Sequence, residues 1–111
     1  MIETILFDYL SQTASVPVYM MRPPTPPYKY IILEKTGSTR SNYIDSATIA
    51  VQSYAPTLYE AAELNEEAKE LMLNAVELPE VSSSKLRTDY NFTNTASKQP
   101  RYQAVFDVTY F

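Results

Sequence analysis

The stretch Arg101-Tyr-Gln-Ala-Val-Phe-Asp-Val-Thr-Tyr-Phe111 most narrows what this chain can fold into. Tyr102, Ala104, Phe106, Val108 and Tyr110 fall at every second position, with Arg101, Gln103, Asp107 and Thr109 between them. Side chains of a strand point alternately to its two faces, so this spacing fits a strand with one buried face. A buried face needs a sheet and a second layer laid upon it. Because the sequence ends inside this strand, it is expected either to close its own sheet or to offer an edge to a neighbour. That expectation favours assembly over chemistry.

Composition removes most catalytic classes. A chain of 111 residues suits one domain spanning 1–111, and an apolar share of 45% supplies a core. There is no Cys, His or Trp, so disulfides, thiolate chemistry, zinc fingers, His-based acid–base catalysis and Ser-His-Asp triads are excluded. A single glycine, Gly37, excludes phosphate cradles, which need several positions free of a Cβ. Carboxylates, Lys, Tyr and Ser remain, and no pair of them stands out. The expectation is a protein that is not an enzyme and uses no cofactor and no metal.

The N-terminus lacks the basic, apolar and small-residue layout of a secretory signal, and no apolar run approaches the ~20 residues that span a bilayer. A cytoplasmic setting with no membrane partner is expected, so the sequon Asn91-Phe92-Thr93 reads as accidental. Net charge is −4, and residues 60–77 carry six glutamates against Lys69 alone, leaving +1 for the rest of the chain. The acidity therefore belongs to one segment. No basic patch of the kind that grips phosphates is visible.

Residues 2–12 place Ile2, Ile5, Leu6, Tyr9 and Leu10 at helical spacing, the pattern of a short amphipathic helix. Five prolines at 17, 23, 24, 26 and 27 then forbid helix. Residues 16–21 read as a short extended segment, and 22–27 as a stiff connecting loop. Tyr28–Lys35 is a strand rich in aromatic and β-branched residues, and Thr36-Gly37-Ser38 supplies turn chemistry. The polar run to Asn42 implies a hairpin loop longer than two residues. A second strand runs from Tyr43 to Tyr54, with Ala47, Ile49 and Val51 on one face, and Pro56 ends it.

The long helix is expected from about Thr57 to Ala75 or Val76. Thr57 and Glu60 have capping-box spacing, and Ala61, Leu64, Ala68, Leu71, Met72 and Ala75 form its apolar stripe. Glu60, Glu63, Glu67 and Glu70 form a second stripe, whose like charges cost roughly 0.2–0.5 kcal/mol per pair. Leu78-Pro79 stops the helix, and residues 80–85, with three serines, read as a flexible link. Leu86, Thr88, Tyr90 and Phe92 then alternate as a half-buried strand, residues 94–100 form a loop, and the closing strand completes a second hairpin. The fold class is α+β: an antiparallel sheet of about four main strands in two hairpins, with an N-terminal helix and one long helix packed on one face.

This order resembles the small tail-terminator or tail-completion proteins of long-tailed bacteriophages. The phrases that carry the resemblance are Pro27-Tyr28 leading into Tyr30-Ile-Ile-Leu-Glu34, and Ile44-Asp45 leading into Ala47-Thr-Ile-Ala-Val-Gln-Ser-Tyr-Ala55. A helix beginning soon after Pro56, and Arg101-Tyr-Gln-Ala104 opening the last strand, complete it. The resemblance implies a structural virion protein of the tail and neck, assembled in the host cytoplasm. Such a protein forms a homo-oligomeric ring, usually a hexamer, that caps the tail tube, ends tail polymerisation and provides the head-docking surface. Its implied partners are the tail tube protein and a head-completion or connector protein, while DNA passes through the ring without specific binding. No catalytic or cofactor residue is implied.

Ten tyrosines supply the rigid amphipathic side chain that interfaces favour. Tyr43, Tyr110 and Phe111 are the candidate oligomer contacts. If Glu60, Glu63, Glu67 and Glu70 line the ring opening, they would repel passing DNA phosphates. Three other readings are open at this point: a head-side connector or stopper, a small non-viral ligand-binding α+β domain, and an enzyme working through paired carboxylates. The last has only Asp45, Asp89 and Asp107 as strand candidates, and these read as outward residues.

Overall fold

Pairing between distant segments decides this architecture. The computed structural model describes residues 1–93, 96 and 98–111. In chain order the elements are α1 (Ile2–Thr13), β1 (Val18–Tyr19), β2 (Tyr30–Ser41), β3 (Ile44–Tyr54), α2 (Leu58–Leu73), a 3-10 turn (Asn74–Glu77), β4 (Val81–Asn91) and β5 (Arg101–Tyr110). The strands form one sheet in the order β1-β2-β3-β5-β4. All neighbours are antiparallel except β1 and β2, which pair Val18 with Ile31 and Tyr19 with Ile32 in parallel. The class is α+β, and the short segment between the prolines adds a fifth strand that makes the sheet mixed.

β5 does not lie at an edge. It is hydrogen-bonded to β3 from Asp45↔Tyr110 to Tyr54↔Arg101 and to β4 from Val81↔Tyr110 to Asn91↔Tyr102. Of the two roles open to it, the closing strand takes the first and completes its own sheet. Its alternation holds: Ala104, Phe106 and Val108 are fully buried, with Tyr102 and Tyr110 half-buried on the same side. Both helices cover that side. Ile2, Leu6 and Leu10 of α1 and Leu64, Ala68 and Met72 of α2 join Ile31, Leu33, Ile49, Val51 and Phe106 in one apolar core.

Side chains help to satisfy both ends of α2. Thr57 Oγ1 accepts the Glu60 amide at 3.2 Å, the expected N-cap. At the other end the Asn74 amide donates to the Glu70 and Met72 carbonyls, and side chains of neighbouring elements add to it. The Tyr9 hydroxyl donates to the Leu71 carbonyl and Ser84 Oγ to the Met72 carbonyl, both at 2.7 Å. These bonds tie α1 and β4 to the end of α2.

Three local expectations are corrected. The first hairpin turns at Asn42-Tyr43, not at Thr36-Gly37-Ser38, and its connection is the tightest, two-residue kind. Asn42 (φ 52°) and Tyr43 (φ 66°) both take the left-handed conformation that such a turn requires. Gly37 instead follows a bulge at Thr36, inside a strand that runs on to Ser41. The serine run 82–84 is not a link but the start of β4, held by pairing with β5. Further along, Arg87 is bulged, which sets Leu86 opposite Phe106 on the helix side and Tyr90 opposite Gln103 on the other. One extra residue flips every later side chain, so Leu86 and Tyr90 do not share a face as their alternation implied. Of the loop expected over 94–100, residues 94, 95 and 97 lie outside the described residues.

Among the described residues no helix is long and apolar enough to cross a membrane.

Candidate functional site

Among the described residues the sheet face away from the helices has no covering layer of secondary structure, yet several of its side chains are buried. Register explains how they meet: Tyr30 lies opposite Tyr54, Gln52 opposite Gln103, and Gln103 opposite Tyr90. Directly opposed residues share a face at contact distance. The Tyr30 and Tyr54 rings stack at 4.6 Å between centroids with planes 6° apart. Tyr54 Oη donates to Gln52 Oε1 at 2.9 Å, Gln52 Nε2 to Gln103 Oε1 at 2.9 Å, and Gln103 Nε2 to Tyr90 Oη at 2.6 Å. Arg101 donates from Nη1 to Tyr54 Oη at 2.8 Å and from Nε to the Phe92 carbonyl at 2.6 Å. Its guanidinium lies 4.4 Å from the Phe92 ring centroid.

A network of this kind, running across β2, β3, β5 and β4, fixes each member's rotamer and makes the surface rigid. The proline-rich segment folds along one end of it. Met20, Met21 and Arg22 face Gln52, Tyr54 and Arg101 across an open groove of about 500 Å³. Burial pushes the Tyr30 phenol above its usual range, against the opposing positive charge of Arg22. Chemically the groove offers arginine donors, thioether and aromatic surface, and one carboxylate, Glu34. That mixture suits recognition of another surface.

The candidate contacts Tyr43, Tyr110 and Phe111 gather at one end of the sheet. Tyr43 closes the β2–β3 turn and is 91% exposed, Ile44 beside it is half-exposed, and Asp45 pairs with Tyr110 on β5. Phe111 follows, 86% exposed, its amide donating to the Glu80 carbonyl. Tyr110 differs from the other two, since it packs against the main core. A tyrosine in left-handed backbone carries steric strain that glycine would not.

The acidic stripe is not uniformly free. Glu67 accepts from the Ser15 amide at 2.8 Å and from its hydroxyl at 2.7 Å, anchoring the segment after α1. Glu60 lies 3.7 Å from Lys29. Glu63 and Glu70 stand exposed on the outer side of α2.

The aspartates separate rather than converge. Asp107 faces the open side and is bound by Arg87, whereas Asp45 lies beside Arg40 at the tip end. Asp89 corrects its outward reading: it lies toward α2, accepting from Asn65 Nδ2 at 2.9 Å and Lys69 Nζ at 3.1 Å. A hydrogen bond to Glu66, with Asp89 adding to it, raises the Lys69 ammonium above its usual range and keeps it charged. With Asp89 and Asp107 on opposite faces, they do not flank one cleft as paired glycosidase acids must.

Compared with protein-family models and with curated proteins, the chain matches none.

Sequence reasoning missed the open-face network. Its signal lies in Gln52, set between the buried Val51 and Ser53, and Gln103, beside the buried Ala104. Read singly they are outward polar positions; only the β3–β5 register joins them.

Proposed function

We propose that the chain is a structural virion protein that caps a phage tail tube as a ring, ends tail polymerisation and presents the head-docking surface. The observation that carries this reading is the exposure of large apolar side chains in three separate regions of a small fold. Tyr43, Ile44 and Phe111 occupy the sheet end, Tyr59 and Leu73 the outside of α2, and Met21 the groove rim. A ring interface joins two different patches of the same chain, and a cap needs a further surface for the tube. Large exposed aromatic and methionine side chains are what such contacts use. The order helix, hairpin, helix, hairpin adds the resemblance to tail-terminator proteins.

In this reading six copies form the ring, the tail tube protein binds one side and a head-completion protein the other. DNA passes through without specific binding, and no cofactor or catalytic residue takes part. The protein is assembled in the host cytoplasm and remains in the tail and neck of the virion.

Electron microscopy of particles made without the protein tests the reading. Tails of uncontrolled length, separate from filled heads, are expected; tails of normal length joined to heads would overturn it. Purified protein should sediment with isolated tail tubes, whereas sedimentation with heads alone would reassign it to the head side of the joint.

A further inference from the structure

We propose that neighbouring copies meet front to back, the acidic outer side of α2 in one copy seating on the open sheet face of the next. This rests on the reading of the chain as a ring subunit and supplies the interface which that reading leaves unassigned. Three observations lead to it.

Charge is divided between the two sides of the molecule. Arg22, Arg101, Lys85 and Arg87 belong to the open face, against Glu34 and Asp107. The outer side of α2 carries Glu63, Glu66 and Glu70; Lys69 bridges Glu66 at 2.8 Å and Asp89 at 3.1 Å, so the negative charge of this side rests chiefly on Glu63 and Glu70. Opposite potentials on opposite faces attract copies in one relative orientation and oppose front-to-front or back-to-back pairing.

Both sides also carry apolar surface in matching form. Tyr59, Glu63, Glu66, Glu70 and Leu73 follow one another at steps of three and four residues, so they form one ridge. At 1.5 Å per residue this ridge is about 21 Å long. Tyr59 is 73% and Leu73 38% exposed, one near each end. The open face holds a groove bounded by Met20, Met21 and Arg22 on one side and Arg101 on the other, and beyond Arg101 lies the edge-to-face pair Tyr90–Phe92.

The open face is rigid before anything occupies it. Gln52 and Gln103 are each only 9% exposed and are bonded to one another, to Tyr54 and to Tyr90. A surface already ordered loses little side-chain freedom on binding. Because ridge and open face lie on opposite sides of a two-layer molecule, each copy offers one of each, the condition for a heterologous ring. The glutamates of α2 then lie between subunits and not along the channel.

Charge exchange tests this. One variant carries Glu63→Lys and Glu70→Lys on the ridge, and the other Arg22→Glu and Lys85→Glu on the open face. Self-association is followed by sedimentation velocity and native mass spectrometry, alone and on isolated tail tubes, with circular dichroism as the control for folding. Wild-type association should weaken between about 0.1 M and about 1 M salt, as the Debye length falls from about 10 Å to about 3 Å. Each variant alone should associate roughly tenfold more weakly than wild type, since like charges then oppose each other across the interface. An equimolar mixture should recover assembly with strict one-to-one composition and an even number of copies.

Variants that associate as tightly as wild type, or a mixture no better than its components, would overturn the front-to-back interface while leaving the ring reading intact. Rings formed by both variants with only DNA passage altered would likewise overturn it, and would return the glutamates to the channel. A wild type that stays solitary in solution and on tubes would overturn the ring reading, and the front-to-back interface with it.

Discussion

On the helix side of the sheet, Ile31, Leu33, Ile49, Val51 and Phe106 pack with α1 and α2 in one apolar core. On the other side the same strands present Tyr30, Tyr54, Gln52, Gln103 and Arg101, joined by directed hydrogen bonds and ring contacts. Apolar burial is non-directional and tolerates exchange of shapes at similar volume. Hydrogen-bonded side chains instead hold one geometry, and lose most when only one partner is removed. The helix side thus supplies stability. The open side maintains a fixed surface, a property of value when something docks there.

The largest effect expected from breaking this comparison is on the helix side. Phe106→Ala should cost about 3–5 kcal/mol, because it removes a fully buried ring from the central strand β5. Urea unfolding measures it; a loss near 1 kcal/mol would mean that the core closes around the gap and is only loosely packed. On the open side, Gln103→Leu should cost about 1–2 kcal/mol by leaving the Gln52 amide unpaired. The double variant Gln52→Leu/Gln103→Leu should recover part of that loss, with a coupling of about 1 kcal/mol. Strict additivity of the two would show that the network is not one unit.

Which of these features the sequence discloses follows from the range of the interactions that set them. The helices depend on local periodicity and on the Thr57 cap, and α1 and α2 end within a few residues of their expected bounds. β5 also reveals its buried face, because alternation needs no partner to be visible. Its place between β3 and β4 is invisible, since strand order depends on pairing between distant segments. Ser82–Ser84 looks like a linker in isolation and becomes a strand only by pairing with β5. The bulge at Arg87 has no composition signal, so alternation alone puts Tyr90 and Phe92 on the wrong face. Gly37 is the natural turn residue by type, yet Asn42 and Tyr43 take the turn. Of the candidate contacts, Tyr43 and Phe111 are exposed and Tyr110 is tied to the core, a distinction set by register.

Two smaller effects sharpen the contrast between the faces and their rims. Tyr43→Gly should stabilise the fold by up to about 1 kcal/mol, because glycine relieves left-handed strain and the 91% exposed ring gives up little burial. Thermal melting checks it, and a lower midpoint would show that the ring makes stabilising contacts. Tail-tube binding by the same variant should fall if Tyr43 is a contact. The smallest effect concerns Glu3. Hydrogen bonding from its own backbone and then from the Lys35 ammonium at 3.2 Å holds its carboxyl below the usual range, against burial. A lowered folded value contributes stability above the unfolded value, lost as pH falls through the folded one. Glu3→Gln should therefore flatten the acid limb of the stability profile below about pH 4.3 and leave the alkaline limb unchanged.

The central claim, that this fold's exposed surfaces serve assembly at the end of a tube, is tested most directly by electron cryomicroscopy of tail tubes incubated with the purified protein. A closed ring of copies seated on one end of each tube, with α2 of one copy against the sheet of the next, is the expected result. Bare tube ends beside solitary protein at saturating concentration would contradict the account.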